Sequence, residues 1–361
     1  MRLVMTLLVR DEEELLPVNL DYHLRRGVDF VLVTDHGSTD ATPEILEEYV
    51  SRGVARVLRV EDEAYDQSKW VTRMARLAAV EHGADWVINN DADEFWWPLA
   101  GTLPDMLALV PARYGQLPCP RHNFLPQPGG GPFWECMVVR EARSQNLIGG
   151  DLEPGVAHRA HPEVVVDFGN HWLRGIDLPQ APALPLIEVF HFPIRSFEQF
   201  EHKVVQAGRA LQALHERPSE VGRDALTLYD IHARGELRNW FDETMLGAER
   251  IETRVASGEL IVDRRLERFL AAGEAPDSAA GRVAASRLAA EAFALADRAE
   301  GLESQLAELR DSLAARDQAL ADTQRMLESV SAELQTLRDS KLVRWTAPAR
   351  NLYYRARGRL R

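Results

Sequence analysis

Two hydrophobic patterns alternate along the first hundred residues of the chain. Continuous apolar runs predict strands buried on both faces, and segments with apolar residues every three or four positions predict helices. The predicted strands are 3–9, 29–34, 54–60 and 85–90, and the predicted helices are 12–26, 44–51 and 68–82. Short connections between alternating strands and helices are typical of a mostly parallel sheet with helices on both faces. We therefore predict an α/β fold for this part of the chain.

The middle of the chain has a different pattern, with closely spaced proline and glycine. Short aromatic and β-branched runs at 133–139, 164–168 and 187–192 predict a few strands separated by long loops. The pattern becomes helical again over 196–270.

Leucines recur at alternating steps of four and three after about residue 284. This leucine seam comprises Leu302, Leu306, Leu309, Leu313, Leu320, Leu327, Val330, Leu334 and Leu337, with Arg316 and Thr323 at its two polar positions. A repeat of this kind predicts a long coiled-coil helix and a parallel homo-oligomer, either dimer or trimer. A single amphipathic helix folded back on the body is the alternative. We predict a globular domain at 1–272, a linker at 273–283, the coiled coil at 284–340 and a basic tail at 341–361.

The composition is that of an ordinary globular protein, with 361 residues, 45% of them hydrophobic and 27% charged. The two cysteines are too few for a disulfide framework or a cysteine-built zinc site. The sequence has no apolar run of about 18 residues, the length that a transmembrane helix needs. Together these features predict a cytoplasmic protein.

The formal net charge of −14 is unevenly distributed. Residues 341–361 contain seven Lys and Arg and no Asp or Glu, so this tail carries +7 and the rest of the chain −21. The acidic body argues against nucleic acid as a partner. Arginines interspersed with Trp345, Tyr353 and Tyr354 are typical of a segment that associates with an anionic membrane, here the inner face of the cell membrane. A frayed terminus in water is the alternative.

Two carboxylates, Asp91 and Asp93, come directly after the predicted strand 85–90. Carboxylate oxygens suit Mg²⁺ or Mn²⁺, which bind substrate phosphates and offset the charge of a diphosphate leaving group. A second acidic loop, 35–40, follows another predicted strand. Because ligands bind at the carboxyl ends of parallel strands, we expect both loops to face one crevice. The D-x-D pattern alone also describes a solvated loop.

Four segments, taken in order, resemble family 2 glycosyltransferases in the DxDEF subgroup that shares traits with family 92. In chain order, the segments are LVRDE at 8–12, similar to vkNE; DHGSTD at 35–40, similar to DDGSTD; DADEF at 91–95, the DxDEF motif itself; and HFPIRSFEQF at 191–200, similar to HYpxRSxeqF. The resemblance covers about residues 1–210 and departs from the family at His36, where Asp is commoner. It implies a GT-A (Rossmann-like) fold, a nucleotide-diphosphate sugar donor, Mn²⁺ or Mg²⁺, and inverting transfer to a glycan or lipid-linked acceptor.

The resemblance also implies roles for particular residues. Asp35 would contact the nucleoside of the donor, Asp91 its ribose or the metal, and Asp93 would be the main metal ligand. The full set of candidate donor-binding residues is Asp11, Asp35, Asp40, Lys69, Arg73, Asp91 and Arg195. His191 is a third candidate metal ligand, since imidazole suits Mn²⁺; a buried core histidine is the alternative. His171 is a similar but weaker candidate.

Other residues have two open interpretations each. Lys69, Arg73 and Arg76 share one predicted helix face, which either binds the donor diphosphate or is simply solvated. The tryptophans Trp70, Trp96 and Trp97 either line the acceptor site or pack in the core.

The base that accepts the acceptor's proton is the hardest residue to assign. Glu94, next to the proposed metal, is our candidate, and Glu135, Asp151 and Asp167 are the alternatives.

Two other functions compete with glycosyl transfer. A sugar-nucleotide nucleotidyltransferase would need a basic, glycine-rich loop after the first strand, whereas residues 10–13 read RDEE. A non-catalytic coiled-coil assembly protein with a nucleotide-binding head would bind donor without turnover.

Overall fold

The computed structural model describes residues 1–60, 66–127, 131–146, 149–150, 152–213, 222–272 and 279–358. They form two compact units, Met1–Phe293 and Ala294–Arg361.

The first hundred residues alternate strand and helix, as predicted. The elements are β1 (Leu3–Val9), α1 (Leu16–Arg25), β2 (Phe30–Asp35), α2 (Thr42–Ser51), β3 (Ala55–Arg59), α3 (Gln67–Val80) and β4 (Trp86–Asp91). Helix α1 begins later than predicted, because residues 12–15 form a turn and Pro17 occupies its first helical turn, where a missing N–H costs nothing. At α3, the Asp66 side chain accepts a hydrogen bond from the Lys69 amide and caps the helix.

The remaining elements of the first unit are shorter and more irregular. They are β5 (Glu94–Pro98), α4 (Leu103–Leu107), β6 (Gln116–Cys119), β7 (Arg121–Asn123), α5 (Phe133–Cys136), β8 (Val139–Glu141), β9 (Gly155–Arg159), β10 (Val165–Val166), β11 (Leu173–Arg174), β12 (Ile187–His191), α6 (Phe197–Ala213), α7 (Arg223–Ala233), α8 (Leu237–Thr244), α9 (Ala248–Ala256), β13 (Leu260–Val262) and α10 (Arg265–Ala272), with a 3₁₀ helix at Phe168–Asn170. The predicted strand at 187–192 is confirmed.

Two of the predicted strands in this region are wrong in part. The 133–139 run contains helix α5, because Phe133 turns inward to pack against Phe95 and Phe192, and only its last residue belongs to a strand. The 164–168 run is reduced to β10, since Gly169 has a φ of 82° and the chain enters the 3₁₀ helix there. Within the predicted helical region 196–270, β13 pairs with β8.

The central sheet has the order β3-β2-β1-β4-β9-β6. Strands β1 to β4 run parallel, while β9 is antiparallel to both β4 and β6. The prediction of a mostly parallel sheet flanked by helices is therefore confirmed. Register matters for the site, because Val9 lies opposite Asp35 and Leu8 lies opposite Asp91 at the carboxyl ends of the strands.

A second sheet has the order β5-β12-β7, and its strands alternate along the chain with the last two strands of the central sheet. It pairs His191 of β12 with Glu94 of β5 on one side and with Asn123 of β7 on the other. This ladder brings His191 to the residues that follow β4.

Hydrophobic packing holds helices to both faces of the central sheet. On one face, Val71 and Met74 of α3 are buried against Val4 and Val87. On the other, Tyr22 of α1 belongs to the larger core cluster, where aromatic side chains are concentrated. Complete burial of such side chains stabilises the fold by about 1.5–3 kcal/mol each.

Two helices end the chain, α11 (Ala279–Asp339) and α12 (Lys341–Gly358). The first turns of α11 belong to the first unit, where Phe293 stacks on Tyr114 with ring centroids 5.5 Å apart. The long C-terminal helix is thus confirmed, and the side chains of its leucine seam are exposed. Its pairing with another copy stays a prediction, as do the segment boundaries; residues 273–278 of the predicted linker lie outside the described residues.

Among the described residues, we find no helix that combines the length and the apolarity needed to cross a bilayer.

Candidate active site

A cleft of about 740 Å³ opens at the carboxyl ends of β1 and β4. We call it the edge cleft. Seven of the candidate residues line it: Asp11, Asp40, Asp91, Asp93, His171, His191 and Arg195. The expectation that the two acidic loops meet at one crevice therefore agrees with the structure. Helix α6 forms another wall of the cleft through His202, Lys203 and Gln206.

Asn19 of α1 holds the turn that carries Asp91 and Asp93. The Asn19 amide donates hydrogen bonds to the carbonyl oxygens of Ala92, at 2.9 Å, and Glu94, at 2.8 Å. Buried carbonyls need donors, and here a single side chain serves one on each side of Asp93. Asn19 also accepts a hydrogen bond from Asn90 at 3.1 Å.

Further hydrogen bonds extend this network to Trp96. Its indole N–H donates to Asn90 at 2.9 Å, its carbonyl accepts from the Tyr22 hydroxyl at 2.9 Å, and its amide donates to His23 Nε2. Burial lowers the pKa of His23 to about 3, so the ring is neutral and Nε2 can accept. Trp96 is therefore a core residue, and Trp70 and Trp97 are buried as well.

Asp93 is a buried carboxylate with a cationic partner. Its Oδ2 lies 2.5 Å from Lys203 Nζ, and its Oδ1 lies 3.7 Å from His191 Nε2. Burial alone would raise the pKa of Asp93, but the positive charge of Lys203 and its hydrogen bond hold that pKa well below its usual range. Asp93 is thus ionised at neutral pH.

His191 is oriented by Asn123, its neighbour in the β12–β7 pair. His191 Nδ1 lies 2.7 Å from Asn123 Oδ1, while the Asn123 amide nitrogen donates to the Gln145 carbonyl at 2.6 Å. Arg121 Nη2 is farther from Nδ1, at 3.4 Å, and because the nearer amide oxygen is an acceptor we assign the ring proton to His191 Nδ1. Burial lowers the pKa of His191 well below its usual value, against the opposing charge of Asp93. A neutral ring with a lone pair on Nε2 therefore faces Asp93.

Glu94 lies beneath the edge cleft, where it pairs with Arg121. Glu94 Oε1 is 2.9 Å from Arg121 Nε, and both side chains are buried. Burial raises the pKa of Glu94 to about 8; the Arg121 guanidinium opposes this shift, and the carboxylates of Asp91 and Asp93 add to it. Our candidate base is thus buried, and it is not among the residues that line the edge cleft.

Asp91 and His171 also have hydrogen-bond partners. Asn170, which has a φ of 63°, donates to Asp91 Oδ1 at 3.0 Å, and burial raises the pKa of Asp91 to about 6. Both ring nitrogens of His171 are in contact, Nδ1 with the Pro154 carbonyl at 3.0 Å and Nε2 with Arg121 at 2.9 Å.

Asp11 and Asp40 join the first two loops to each other. Asp11 Oδ1 accepts from the Thr39 amide at 2.7 Å, and Asp40 Oδ2 accepts from the Glu13 amide at 3.0 Å. Asp35 is buried just behind this junction, where its Oδ1 accepts from the Ser38 amide at 3.1 Å.

Arg195 projects into the edge cleft opposite the first loop. Its Nη2 lies 3.4 Å from Glu12 Oε2, and its side chain is only 5% exposed. Burial raises the pKa of Glu12 to about 7, and the Arg195 charge opposes the shift.

The wall formed by α6 was missed by our sequence reasoning. Gln199, Lys203, Gln206 and Ala210 follow at steps of four, three and four, so they form one helical stripe, and all four line the edge cleft. This spacing, beginning inside the segment at 191–200, was the signal available in the sequence.

The structure places the other candidates elsewhere. Lys69, Arg73 and Arg76 line a separate groove beside β10, where Arg76 Nε donates to the Val164 carbonyl at 2.8 Å. Asp167 pairs with Arg174, and Asp151 lies outside the described residues. Glu135 lines a third groove, with Trp134 and Asp21.

A divalent ion in the edge cleft would take only part of its ligand set from the chain. Within the described ranges, no three His, Cys, Asp or Glu side chains come close enough to hold an ion by themselves. Asp93 Oδ1 and His191 Nε2 nonetheless face each other at 3.7 Å, a separation that two ligands of one divalent ion can span. Mg²⁺ and Mn²⁺ commonly take their other ligands from water and substrate phosphates. The residues present therefore fit such an ion.

No family model and no curated protein matches the chain. Among solved structures, S. aureus TarS 1–349 in complex with UDP-GlcNAc is 12% identical, with a TM-score of 0.37 over 76% of this chain and 93% of that one. A mannosyltransferase from Pyrobaculum calidifontis in complex with GDP-Man and Mn²⁺ is 16% identical, with a TM-score of 0.33 over 80% and 86%. At these scores the comparison assigns neither an activity nor site residues to this chain.

Proposed function

We propose that this protein is a metal-dependent glycosyltransferase. In this proposal it moves a sugar from a nucleotide-diphosphate sugar to a glycan or lipid-linked acceptor, with inversion at the anomeric carbon. The observation that supports it most is the arrangement of Asp93 and His191, an ionised carboxylate facing a neutral imidazole in the edge cleft. The four segments that resemble family 2 glycosyltransferases contribute residues to this same cleft.

The proposed roles follow from charge and position. Mn²⁺ or Mg²⁺ between Asp93 and His191 would supply positive charge to the departing nucleoside diphosphate. Lys203 and Arg195 place two further cations on the α6 side of the cleft, where they can bind phosphate oxygens.

The donor would also contact the acidic side of the edge cleft. Asp11, Asp40 and Asp91 can accept hydrogen bonds from its base or ribose hydroxyls. Asp35 shapes the loop behind them. We give Lys69 and Arg73 no role in donor binding, because they line the groove beside β10.

Glu94 is better suited to positioning than to proton transfer. A general base must come within hydrogen-bond reach of the acceptor hydroxyl, whereas Glu94 is buried in an ion pair with Arg121 and is not among the residues that line the edge cleft. Glu12 is the cleft carboxylate that we propose in its place, because its pKa of about 7 suits a base near neutral pH.

The acidic first loop disfavours the nucleotidyltransferase alternative. Residues 11–14 line the edge cleft with four acidic side chains, which would repel a nucleoside triphosphate. For the leucine seam, we propose self-association in a parallel coiled coil, because its side chains are exposed along α11.

The decisive experiment is transfer or donor hydrolysis by the full chain with a set of nucleotide sugars, with and without Mn²⁺. Asp93→Asn should reduce turnover at least about a hundredfold, as expected when a transition-state charge is no longer offset. Asp85→Asn is the matched control, since Asp85 precedes β4 at the opposite edge of the sheet and is 56% exposed. Full activity of Asp93→Asn, or of the wild type in excess chelator, would reject the metal role. Donor binding without any turnover would favour the non-catalytic alternative.

A further inference from the structure

Helix α12 is an exposed amphipathic helix that the proposed reaction does not use. Trp345 and Leu352 are 83% and 73% exposed, and Ala349 lies between them along the helix. Steps of four and three put these three side chains on one stripe. Tyr353 borders the stripe and is also exposed.

Basic residues lie on both sides of this stripe. At 100° per residue, Lys341, Arg344 and Arg355 fall along one edge, and Arg350 and Arg357 along the other. The sequence from 341 to 361 contains no acidic residue at all. The helix therefore combines an apolar stripe with positive charge on each flank.

We propose that α12 binds the surface of an anionic lipid bilayer and lies in its plane. Trp345 and Leu352 would enter the headgroup boundary, while the flanking arginines would contact lipid phosphates. The aromatic side chains fit this location, because tryptophan and tyrosine have an apolar body and a polar tip.

Charge and hydrophobicity together distinguish this partner from others. A nucleic acid would neutralise the arginines but would leave Trp345 and Leu352 in water. A purely apolar partner would leave the positive flanks unmatched. The −21 charge on the rest of the chain is repelled by an anionic surface, so the tail is the part that such a surface attracts. This inference does not rest on the proposed glycosyl transfer.

The test is flotation of the purified full chain with lipid vesicles. We expect it to float with vesicles of phosphatidylcholine and phosphatidylglycerol, not with phosphatidylcholine alone, and to be released at high salt. The double variant Trp345→Ala/Leu352→Ala should bind at least about tenfold more weakly, because its buried apolar area is lost. The matched control is Thr346→Ala/Asn351→Ala, which changes two exposed polar residues of the same helix and should bind like the wild type.

Several outcomes would overturn the proposal. These are flotation of the Trp345/Leu352 double variant at the wild-type level, and equal flotation with neutral and anionic vesicles. Binding of the purified chain to duplex or single-stranded nucleic acid, with no capture by anionic vesicles, would assign α12 to that partner instead. Circular dichroism of the double variant, recorded alongside, checks that helical content is kept.

Discussion

The side-chain amide of Asn19 donates a hydrogen bond to the backbone carbonyl of Ala92 at 2.9 Å, across 73 residues of sequence. A second hydrogen bond, to the Glu94 carbonyl, completes the support on the other side of Asp93. The geometry of the D-x-D turn therefore depends on a helix from the beginning of the chain.

We expect Asn19→Leu to destabilise the protein and to reduce turnover. Leucine leaves two buried carbonyls without donors, at a cost of about 1–3 kcal/mol each. Chemical denaturation measures the free energy of unfolding. The rate of donor turnover shows whether the D-x-D turn keeps its geometry. Tyr22→Phe is the graded comparison, since it removes only the outlying hydrogen bond to Trp96 and should cost about 1 kcal/mol. Equal effects of the two variants would contradict a special role for Asn19.

Asn123→Ala should weaken Mn²⁺ binding by about 10–100-fold, the usual effect of removing a residue that orients a ligating histidine. Without the Asn123 oxygen, His191 is free to place its proton on Nε2, the nitrogen that faces Asp93. Titration with Mn²⁺, followed by electron paramagnetic resonance, measures the affinity. Asn351→Ala, an exposed amide on α12, should leave it unchanged. Wild-type affinity in Asn123→Ala would count against His191 as a ligand.

Lys203→Met should change the affinities for metal and donor in opposite directions. The ammonium contacts Asp93 Oδ2, so its removal should strengthen Mn²⁺ binding in the absence of nucleotide. The same removal takes a cation from the edge cleft and should raise KM for the donor several-fold. Titration with Mn²⁺ measures the metal affinity, and steady-state kinetics measures KM for the donor.

Lys69→Met is the control for this experiment. Lys69 lines the groove beside β10, so its loss should alter neither affinity. If Lys69→Met raised KM for the donor as much as Lys203→Met does, the basic face of α3 would be the surface that binds the diphosphate.

Acid should destabilise the fold through Glu188 and Asp263. Burial alone would raise both pKa values, but hydrogen bonds and charge from His122 and Arg265 lower that of Glu188 to about 2, and Arg265 with Arg140 lowers that of Asp263 to about 2. Both lie below their ordinary values of 4.5 and 3.8. The stabilisation is therefore complete above those ordinary values and is lost as the pH falls towards 2.

Denaturation curves recorded from neutral pH down to acid measure this loss. Glu188→Gln should be less stable than the wild type at neutral pH and should show a shallower decline in acid. Glu252→Gln on α9 is the control and should follow the wild-type curve. If the free energy of unfolding of Glu188→Gln fell with pH as steeply as that of the wild type, carboxylates other than Glu188 would be responsible for the loss of stability in acid.

Leu313→Lys with Leu320→Lys should convert the protein to a monomer. Both side chains lie on the leucine seam, where a lysine ammonium cannot be buried against a second helix. Ala314→Lys, outside the seam, should keep the oligomer. Sedimentation velocity distinguishes the two states, and a wild type that stays monomeric at high concentration would reject the coiled coil.

The sequence predicted the parallel part of the fold well, because strands buried on both faces are continuous apolar runs. The register of β1 with β2 and β4 then places Asp35 and Asp91 at one edge of the sheet. The run at 133–139 misled us, since the inward turn of Phe133 depends on aromatic partners far along the chain.

The site was predictable only where a motif marks it. Asp93 and His191 stand out in their segments, but Asn19 and Lys203 act through partners 73 and 110 residues away. Nothing local to Asn19 indicates that its amide supports a turn after β4. Glu94 shows another limit, because its place beside Asp93 in the sequence does not reveal that its carboxylate is buried in an ion pair with Arg121.

The pairing of His191 with Glu94 in the β12–β5 ladder has a consequence for specificity. Asp93 immediately precedes Glu94, and its carbonyl accepts a hydrogen bond from the Phe192 amide at 2.9 Å, so backbone hydrogen bonds hold the main chains of Asp93 and His191 next to each other. In the proposed reaction, residues of α6 other than Lys203, which face the same space from a separate helix, could then be exchanged to accommodate different sugars without moving these two main chains.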